Sequence, residues 1–358
     1  MIQDPVISVS NLRKRFNLEA GFFAPLGRYV YAVNGVSFSI GKNEAYGLVG
    51  ESGCGKTTTA RLLVRMYEAD EGEILFHGYS ANEDANASAN FQDVRKLKGS
   101  EFKRYREKVK YIFQDPARSL NPRMTVYEVL CSGAKWSANR RREKDLREDA
   151  VQLLLEVGLS ASDLERRPAE FSGGQRQRLS IARGLMMNPD ILICDEVVSA
   201  LDVSIQGQIL NLLLDLRERR EISFLFIAHD LKIACYFCDR IGVMYRGEIM
   251  EEAPAPDLWK GHLHPYTELL FSSVKGTSKN HTASSSEASA AAPHTQVQTA
   301  DAPAPRAQAA GAAAETRLKA SESCAFAPRC PYAQERCFRE KPVLREAGSG
   351  HLVSCHKI

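Results

Sequence analysis

The stretch Gly50–Thr58 reads GESGCGKTT and fits the pattern G-x-x-x-x-G-K-[ST], with Gly50, Gly55, Lys56 and Thr57 at the fixed positions. Glycines at this spacing let the backbone curl until several N–H groups face one point. A helix starting there adds the positive end of its dipole. Such a cradle suits a phosphate, so Glu51, Ser52, Gly53, Cys54 and Thr58 join the fixed four as candidate nucleotide contacts. Lys56 would reach the β- and γ-phosphates, and the Thr57 hydroxyl would hold Mg²⁺. The bland alternative is a glycine-rich turn that binds nothing. The surroundings are those the motif demands: Ala45–Val49 is an apolar strand just before the loop, and Thr58 onward places Ala60, Leu63 and Met66 or Tyr67 on one helical stripe.

Three further stretches end in groups that could act on a phosphate. Ile191–Cys194 is continuously apolar, as a parallel strand buried on both faces is, and it ends in Asp195-Glu196. The carboxyl end of such a strand is where ligands bind in open α/β sheets. Ile222–Ala228 has the same character and ends in His229-Asp230; alone, that histidine would be read as a satisfied core residue. Tyr111–Phe113 is a shorter strand running into Gln114-Asp115-Pro116, where the proline stops it. Ser172-Gly173-Gly174-Gln175 opens a helix through Met187 and offers an anion free N–H groups, a dipole end and a hydroxyl. For stacking on a base, the irregular stretch from Phe16 to Tyr31 supplies several aromatics. Phe16 is the first choice by position and Tyr31 the second.

The elements that must position these groups alternate in the α/β manner. Val6–Val9 and Ala32–Ile40 are strand-like, as is Glu73–Phe76. The polar stretch Tyr79–Ser100 reads as a surface insertion, and the basic run Arg95–Lys110 as a solvated helix face. Residues 117–180 read as a mainly helical subdomain, with Val151, Leu154, Leu155 and Leu159 recurring at helical spacing. Ile241–Tyr245 and Glu248–Glu251 form a hairpin turned at Arg246-Gly247. From Ser272 to Ala325 there is no aromatic residue, and such a stretch cannot bury enough apolar surface to order itself.

At 358 residues the chain has room for one large domain and something extra. A net charge of +3 is too small to argue for nucleic acid or a membrane surface. The start shows no basic region followed by an apolar one, and no apolar run approaches the ~20 residues of a membrane span, so a soluble, cytosolic chain is expected. Of nine cysteines, Cys324, Cys330, Cys337 and Cys355 crowd into the last 35 residues. In the cytosol clustered cysteines suggest metal rather than disulfides. Zinc sites usually pair cysteines two to four residues apart, and the spacing here matches neither that nor the common ferredoxin patterns. Spacing leaves zinc and an iron–sulfur cluster open.

Taken in order, the phosphate loop, Gln114, Ser172–Gln175, Asp195-Glu196, Ser199–Asp202 and His229 resemble the ATP-binding-cassette (ABC) ATPases over roughly residues 6–255. Phe113–Pro116 with Ser119–Arg123, Ser199–Gln206, His264–Thr267 and the tail from Cys324 to Pro331 are similar to the oligopeptide/dipeptide importer branch. Val197 stands where that family usually has proline, and Phe171 where the wider family has leucine; neither change removes a functional group. The resemblance implies an α/β P-loop nucleotide-binding domain over residues 1–271. This domain has a RecA-like core, an antiparallel β subdomain and an inserted helical subdomain at about 117–180. A disordered linker over 272–320 and a small cysteine-rich module over 321–358 follow. It further implies that Asp195, Thr57 and Gln114 hold Mg²⁺, that Glu196 polarises the attacking water and that His229 contacts the γ-phosphate. Ser172–Gln175 would close over ATP on a partner cassette, identical or homologous. Two transmembrane permease subunits, and indirectly a peptide-binding protein, would complete an importer on the cytoplasmic face of the membrane, with no nucleic acid involved. The four tail cysteines would hold a [4Fe–4S] cluster. The alternatives are a soluble ABC ATPase working on DNA or ribosomes, an exporter subunit, or an importer of another solute. A long coiled-coil insertion or a second cassette would mark the soluble class, and this chain has neither.

Overall fold

In the computed structural model, residues 5–17, 29–77, 92–137, 142–276, 322–348 and 350–358 are described. β1 (Pro5–Asn17) and β2 (Tyr29–Gly41) pair antiparallel over their whole length, through Phe16↔Val30 and Arg15↔Tyr31. Phe16, Tyr29 and Tyr31 are therefore strand residues rather than part of an irregular stretch, while Phe22 and Phe23 lie outside the described residues. β3 (Ala45–Val49) is wholly buried and leads through the glycine loop into α1 (Lys56–Leu63). β4 (Glu71–Phe76) and the short β5 (Gln92–Asp93) complete a four-stranded antiparallel sheet of order β2-β1-β4-β5. Most of the expected polar insertion, residues 78–91, lies outside the described residues.

The basic run forms α2 (Gly99–Lys108), which buries only Tyr105 and leads into β6 (Val109–Ile112). The helical layer follows: α3 (Pro116–Ser119), α4 (Val126–Cys131), α5 (Glu143–Glu156) and α6 (Gly173–Leu185). Pro116, expected to stop the preceding strand, also starts α3, and the Asp115 side chain caps it. A capping box between Thr125 and Glu128 starts α4. α5 buries Leu146, Ala150, Leu153 and Leu154 and leaves Leu155 exposed, so its buried stripe runs one step earlier than periodicity suggests.

β7 (Ile191–Asp195), α7 (Val203–Arg220), β8 (Ser223–Ala228), α8 (Leu231–Phe237), β9 (Arg240–Tyr245) and β10 (Glu248–Pro254) build the central layer. β6-β7-β8-β3-β9 run parallel, and every residue of β3, β7 and β8 is buried, which explains their unbroken apolarity. β10 returns antiparallel from the turn at Arg246-Gly247. α9 (Ala255–Lys260) and α10 (Pro265–Gly276) follow; α10 carries the chain past the expected start of the linker, and 277–321 lie outside the described residues.

The tail is fastened both to itself, through the Cys324 N–H to Cys337 carbonyl bond and the Ser354 hydroxyl to Pro342 carbonyl bond, and to the main domain. After α11 (Glu335–Arg339), β11 (Arg345–Gly348) and β12 (His351–Val353) extend the central sheet, with β12 pairing to β10 through Glu251↔Val353 and Glu252↔Leu352. Phe326 is fully buried within the main core, 5.4 Å from the rings of both Tyr245 and Tyr266. A stretch of ~35 residues has too little apolar interior to hold itself together. Here the sheet edge and the core supply what it lacks.

Candidate functional site

The backbone of the loop allows no side chain at its two outer glycines. At Gly50 (φ +150) a Cβ would lie 2.1 Å from the Met244 carbonyl, and at Gly55 (φ +116) 2.1 Å from that of Ala32. Gly55 caps α1 with no side-chain bond, so the first N–H groups of the helix stay open toward the loop. Lys56 is almost wholly buried, and its ammonium donates to the Gly50 (2.7 Å) and Glu51 (3.1 Å) carbonyls. It is held at the loop mouth as a cation that a phosphate can claim.

The register of the parallel strands brings the other groups to the same edge. Val49 pairs with Ala228, and Asp195 with Ile227, so Gly50 and His229 leave the sheet at one level and Glu196 one residue short of it. The Thr57 hydroxyl donates to Asp195 Oδ1 at 2.9 Å, joining two of the expected Mg²⁺ ligands directly. Gln114, two residues past the end of β6, donates through Nε2 to Glu196 Oε2 at 2.7 Å. Four of the sequence candidates thus meet in two hydrogen-bonded pairs. His229 lies exposed at the end of β8.

Two features there escaped the sequence. Tyr111 donates its hydroxyl to Asp195 Oδ2, and burial, reinforced by this carboxylate, drives the phenol well above its ordinary pKa. Glu196 itself adopts the left-handed conformation, φ 49, which a β-carbon disfavours and which persists only where surroundings enforce it. Its N–H donates to the Ile227 carbonyl, and its own carbonyl accepts from the Ser199 hydroxyl at 2.9 Å. Sequence spacing carries no signal of such a turn.

Ser172–Gln175 bond to one another. The Ser172 hydroxyl caps α6 by accepting from the Gln175 N–H, and the Gln175 side chain accepts from the Ser172 N–H at 2.9 Å. Gly173 and Gly174 follow with no side chain in the way; a Cβ on Gly174 would come 2.9 Å from Ile205. Phe171 is buried with the Arg166 guanidinium 4.4 Å above its ring, so the larger apolar residue fits there. Phe16, the first choice for a base, stands at the end of β1 with its ring edge-on to Tyr67 at 5.3 Å and part of it exposed. Its strand partner Val30 lies two residues from Ala32, which abuts the loop.

The His264–Thr267 stretch works around the loop as well. His264 is buried and pushed down to about 4 by that burial; its Nδ1 accepts from the Tyr266 N–H at 3.0 Å. The Tyr266 hydroxyl oxygen accepts from the Glu51 N–H at 2.9 Å. Arg329, from the tail, grips both carboxylate oxygens of Glu51 at 2.8 and 2.9 Å.

Cys324, Cys330, Cys337 and Cys355 line one narrow cavity with His264 and His356, and all are free thiols. Burial pushes the Cys324 and Cys330 thiols up, and the neighbouring Cys337 and Cys355 raise both further, so bare thiolates are disfavoured until a cation offsets them. Among the described residues no group of three or more His, Cys, Asp or Glu side chains is arranged to hold a metal ion.

Comparison with known proteins agrees with this geometry. The family described as ABC transporter matches residues 33–199, and the oligopeptide/dipeptide transporter C-terminal region matches 250–298 and 290–337. The oligopeptide transport ATP-binding protein AppF of Bacillus subtilis (strain 168) is 38% identical over 355 residues, 99% of this chain and 98% of the relative. OppF of the same organism is 46% identical over 258 residues, 72% of this chain and 80% of the relative. A solved dimeric ATP-binding cassette, in a post-hydrolysis state with ADP and Pi, matches with TM-score 0.56 and 26% identity over 70% of this chain and 98% of that one.

Proposed function

Because the chain belongs to the ATP-hydrolysing cassettes of the ABC transporter family, we propose that it powers the import of oligopeptides or dipeptides. The observation that carries this reading is the full-length likeness to an oligopeptide transport ATP-binding protein, C-terminal region included. The groove between α2, β6 and α6 supports a membrane partner. It has a volume of about 860 Å³ and is lined by the apolar Phe102, Phe113 and Met187 together with the cations Lys110 and Arg183. No helix among the described residues is long and apolar enough to cross a membrane. One permease subunit would seat here, against the Gln114–Leu130 stretch and the helical subdomain, and a second on the partner cassette, at the cytoplasmic face, with a peptide-binding protein supplying them.

The chain's own residues define the hydrolytic step. The loop N–H groups and Lys56 would bind the β- and γ-phosphates, Lys56 exchanging carbonyl partners for phosphate oxygens. Thr57 and Asp195 would hold Mg²⁺ with Gln114, replacing their direct hydrogen bond; the ion neutralises charge on the phosphate oxygens. Glu196 would orient the attacking water and take its proton, which requires Gln114 to release the carboxylate it now occupies. His229 would contact the γ-phosphate beside that water. Phe16 would stack on the adenine. Ser172–Gln175 would complete a site on a second cassette, a copy or a relative.

The four cysteines would hold a [4Fe–4S] cluster that fastens the tail and takes no part in hydrolysis. Four cysteines lining one cavity supply the number of thiol ligands such a cluster takes. Anaerobically purified protein is expected to be brown with ~4 iron per chain, and Cys330→Ser to bleach it while nucleotide binding persists. Colourless protein with stoichiometric zinc would overturn the assignment. For the transport reading, the test is whether nucleotide-dependent peptide uptake in whole cells is lost when Glu196→Gln replaces the wild-type chain.

A further inference from the structure

We propose that Arg329, together with Tyr266, positions the phosphate loop, so that the C-terminal region sets how tightly this cassette holds nucleotide. The proposal rests on the reading of Gly50–Thr58 as the ATP-binding loop. Glu51 is the joint. Its carboxylate is gripped bidentately by Arg329, its N–H donates to Tyr266, and its carbonyl accepts from Lys56 and, at 3.2 Å, from the Cys54 N–H. A guanidinium fork matches a carboxylate in one geometry only, so the contact fixes direction as well as distance. Arg329 holds the Glu51 carboxyl below the usual carboxylate range.

The other end of this strut is equally fixed. The Arg329 N–H donates to the Phe326 carbonyl at 2.9 Å, closing a tight turn over Ala327–Arg329. Phe326 is wholly buried against Tyr245, Tyr266 and His264, and the guanidinium lies 5.7 Å from the Tyr245 ring. The turn is flanked by Cys324 and Cys330, so whatever fastens those thiols also fastens Arg329. What the strut holds is the residue after Gly50, whose φ of +150 is a backbone conformation that favours glycine. The same residue lends its carbonyl to Lys56, the cation meant for phosphate.

About two-fifths of each partner's side chain is exposed, so the ion pair itself adds little to stability. Its effect lies in preorganisation: a loop already shaped for phosphate loses less freedom on binding. Arg329→Ala is therefore expected to raise the Kd for nucleotide roughly three- to tenfold and to raise KM for ATP with kcat little changed. The test uses the full chain and a fluorescent ATP analogue with Mg²⁺, on Arg329→Ala, Arg329→Lys, Glu51→Ala and the double variant Glu51→Ala/Arg329→Ala. Expected are similar losses in Arg329→Ala and Glu51→Ala, a double variant no weaker than either, and partial recovery in Arg329→Lys. An unchanged Kd in Arg329→Ala, or losses that multiply in the double variant, would overturn the proposal and reduce Arg329 to a fastening of the tail. If Lys56→Ala binds the analogue as well as wild type does, the ATP-loop reading has failed instead, and the proposal with it.

Discussion

Replacing Glu196 with glutamine removes one proton-accepting oxygen and almost nothing else. The side chain keeps its length, and the amide oxygen can still accept from Gln114 Nε2, now 2.7 Å from the carboxylate. The left-handed backbone is held by the Ile227 carbonyl and Ser199, neither of which the substitution touches. Thr57 and Asp195, the Mg²⁺ pair, lie on separate bonds. What disappears is a base for the attacking water, a loss of about 10²–10⁴ in rate, or about 3–5 kcal/mol in the barrier. Steady-state phosphate release, paired with an equilibrium nucleotide affinity on the same sample, separates the two effects. Turnover is expected to collapse while affinity stays within about threefold of wild type. Near-native turnover in Glu196→Gln would refute the reasoning.

Lys56→Ala is expected to weaken nucleotide binding itself, since it removes the buried ammonium at the loop mouth. Mixing it with Ser172→Ala tests the shared site. In a homodimer the mixture regains one intact site and partial phosphate release, and full activity from a strict monomer would end that idea. His264 predicts a pH effect. Its folded value near 4 lies below the usual histidine value near 6.5, so the unfolded chain binds the proton more readily between them, and stability is full above about pH 6.5 and falls towards pH 4. At pH 5 the loss is about 2 kcal/mol. Burial pushes Glu44, Glu248 and Glu252 up, and they titrate in the opposite sense. The difference in unfolding free energy between wild type and His264→Asn therefore isolates the histidine; parallel pH curves would show it has no such role.

The central layer was legible because fully buried parallel strands leave unbroken apolar runs, as Ile191–Cys194 and Ile222–Ala228 do. The loop was legible because Gly50 and Gly55 stand where a Cβ would strike a carbonyl. Asp195, Glu196, Gln114 and His229 were legible as strand-end residues, but their pairing required the register of β6, β7 and β8. What stayed hidden depends on contacts distant in sequence. Nothing local in Tyr111 announces its bond to Asp195, and nothing in Arg329 its grip on Glu51, 278 residues away. The tail read as a unit of its own because its cysteines are clustered. Its strands pair at the sheet edge through β10, and pairing of that kind leaves no periodic mark beyond three or four residues.

The most direct test is to purify the tagged full chain from detergent-solubilised membranes of the cell that makes it and identify what stays bound. Two multi-spanning membrane proteins and a second cassette, in one complex whose ATP hydrolysis rises when a peptide-loaded binding protein is added, are the predicted result. A chain that leaves the membranes behind and brings down ribosomes or DNA would contradict the account.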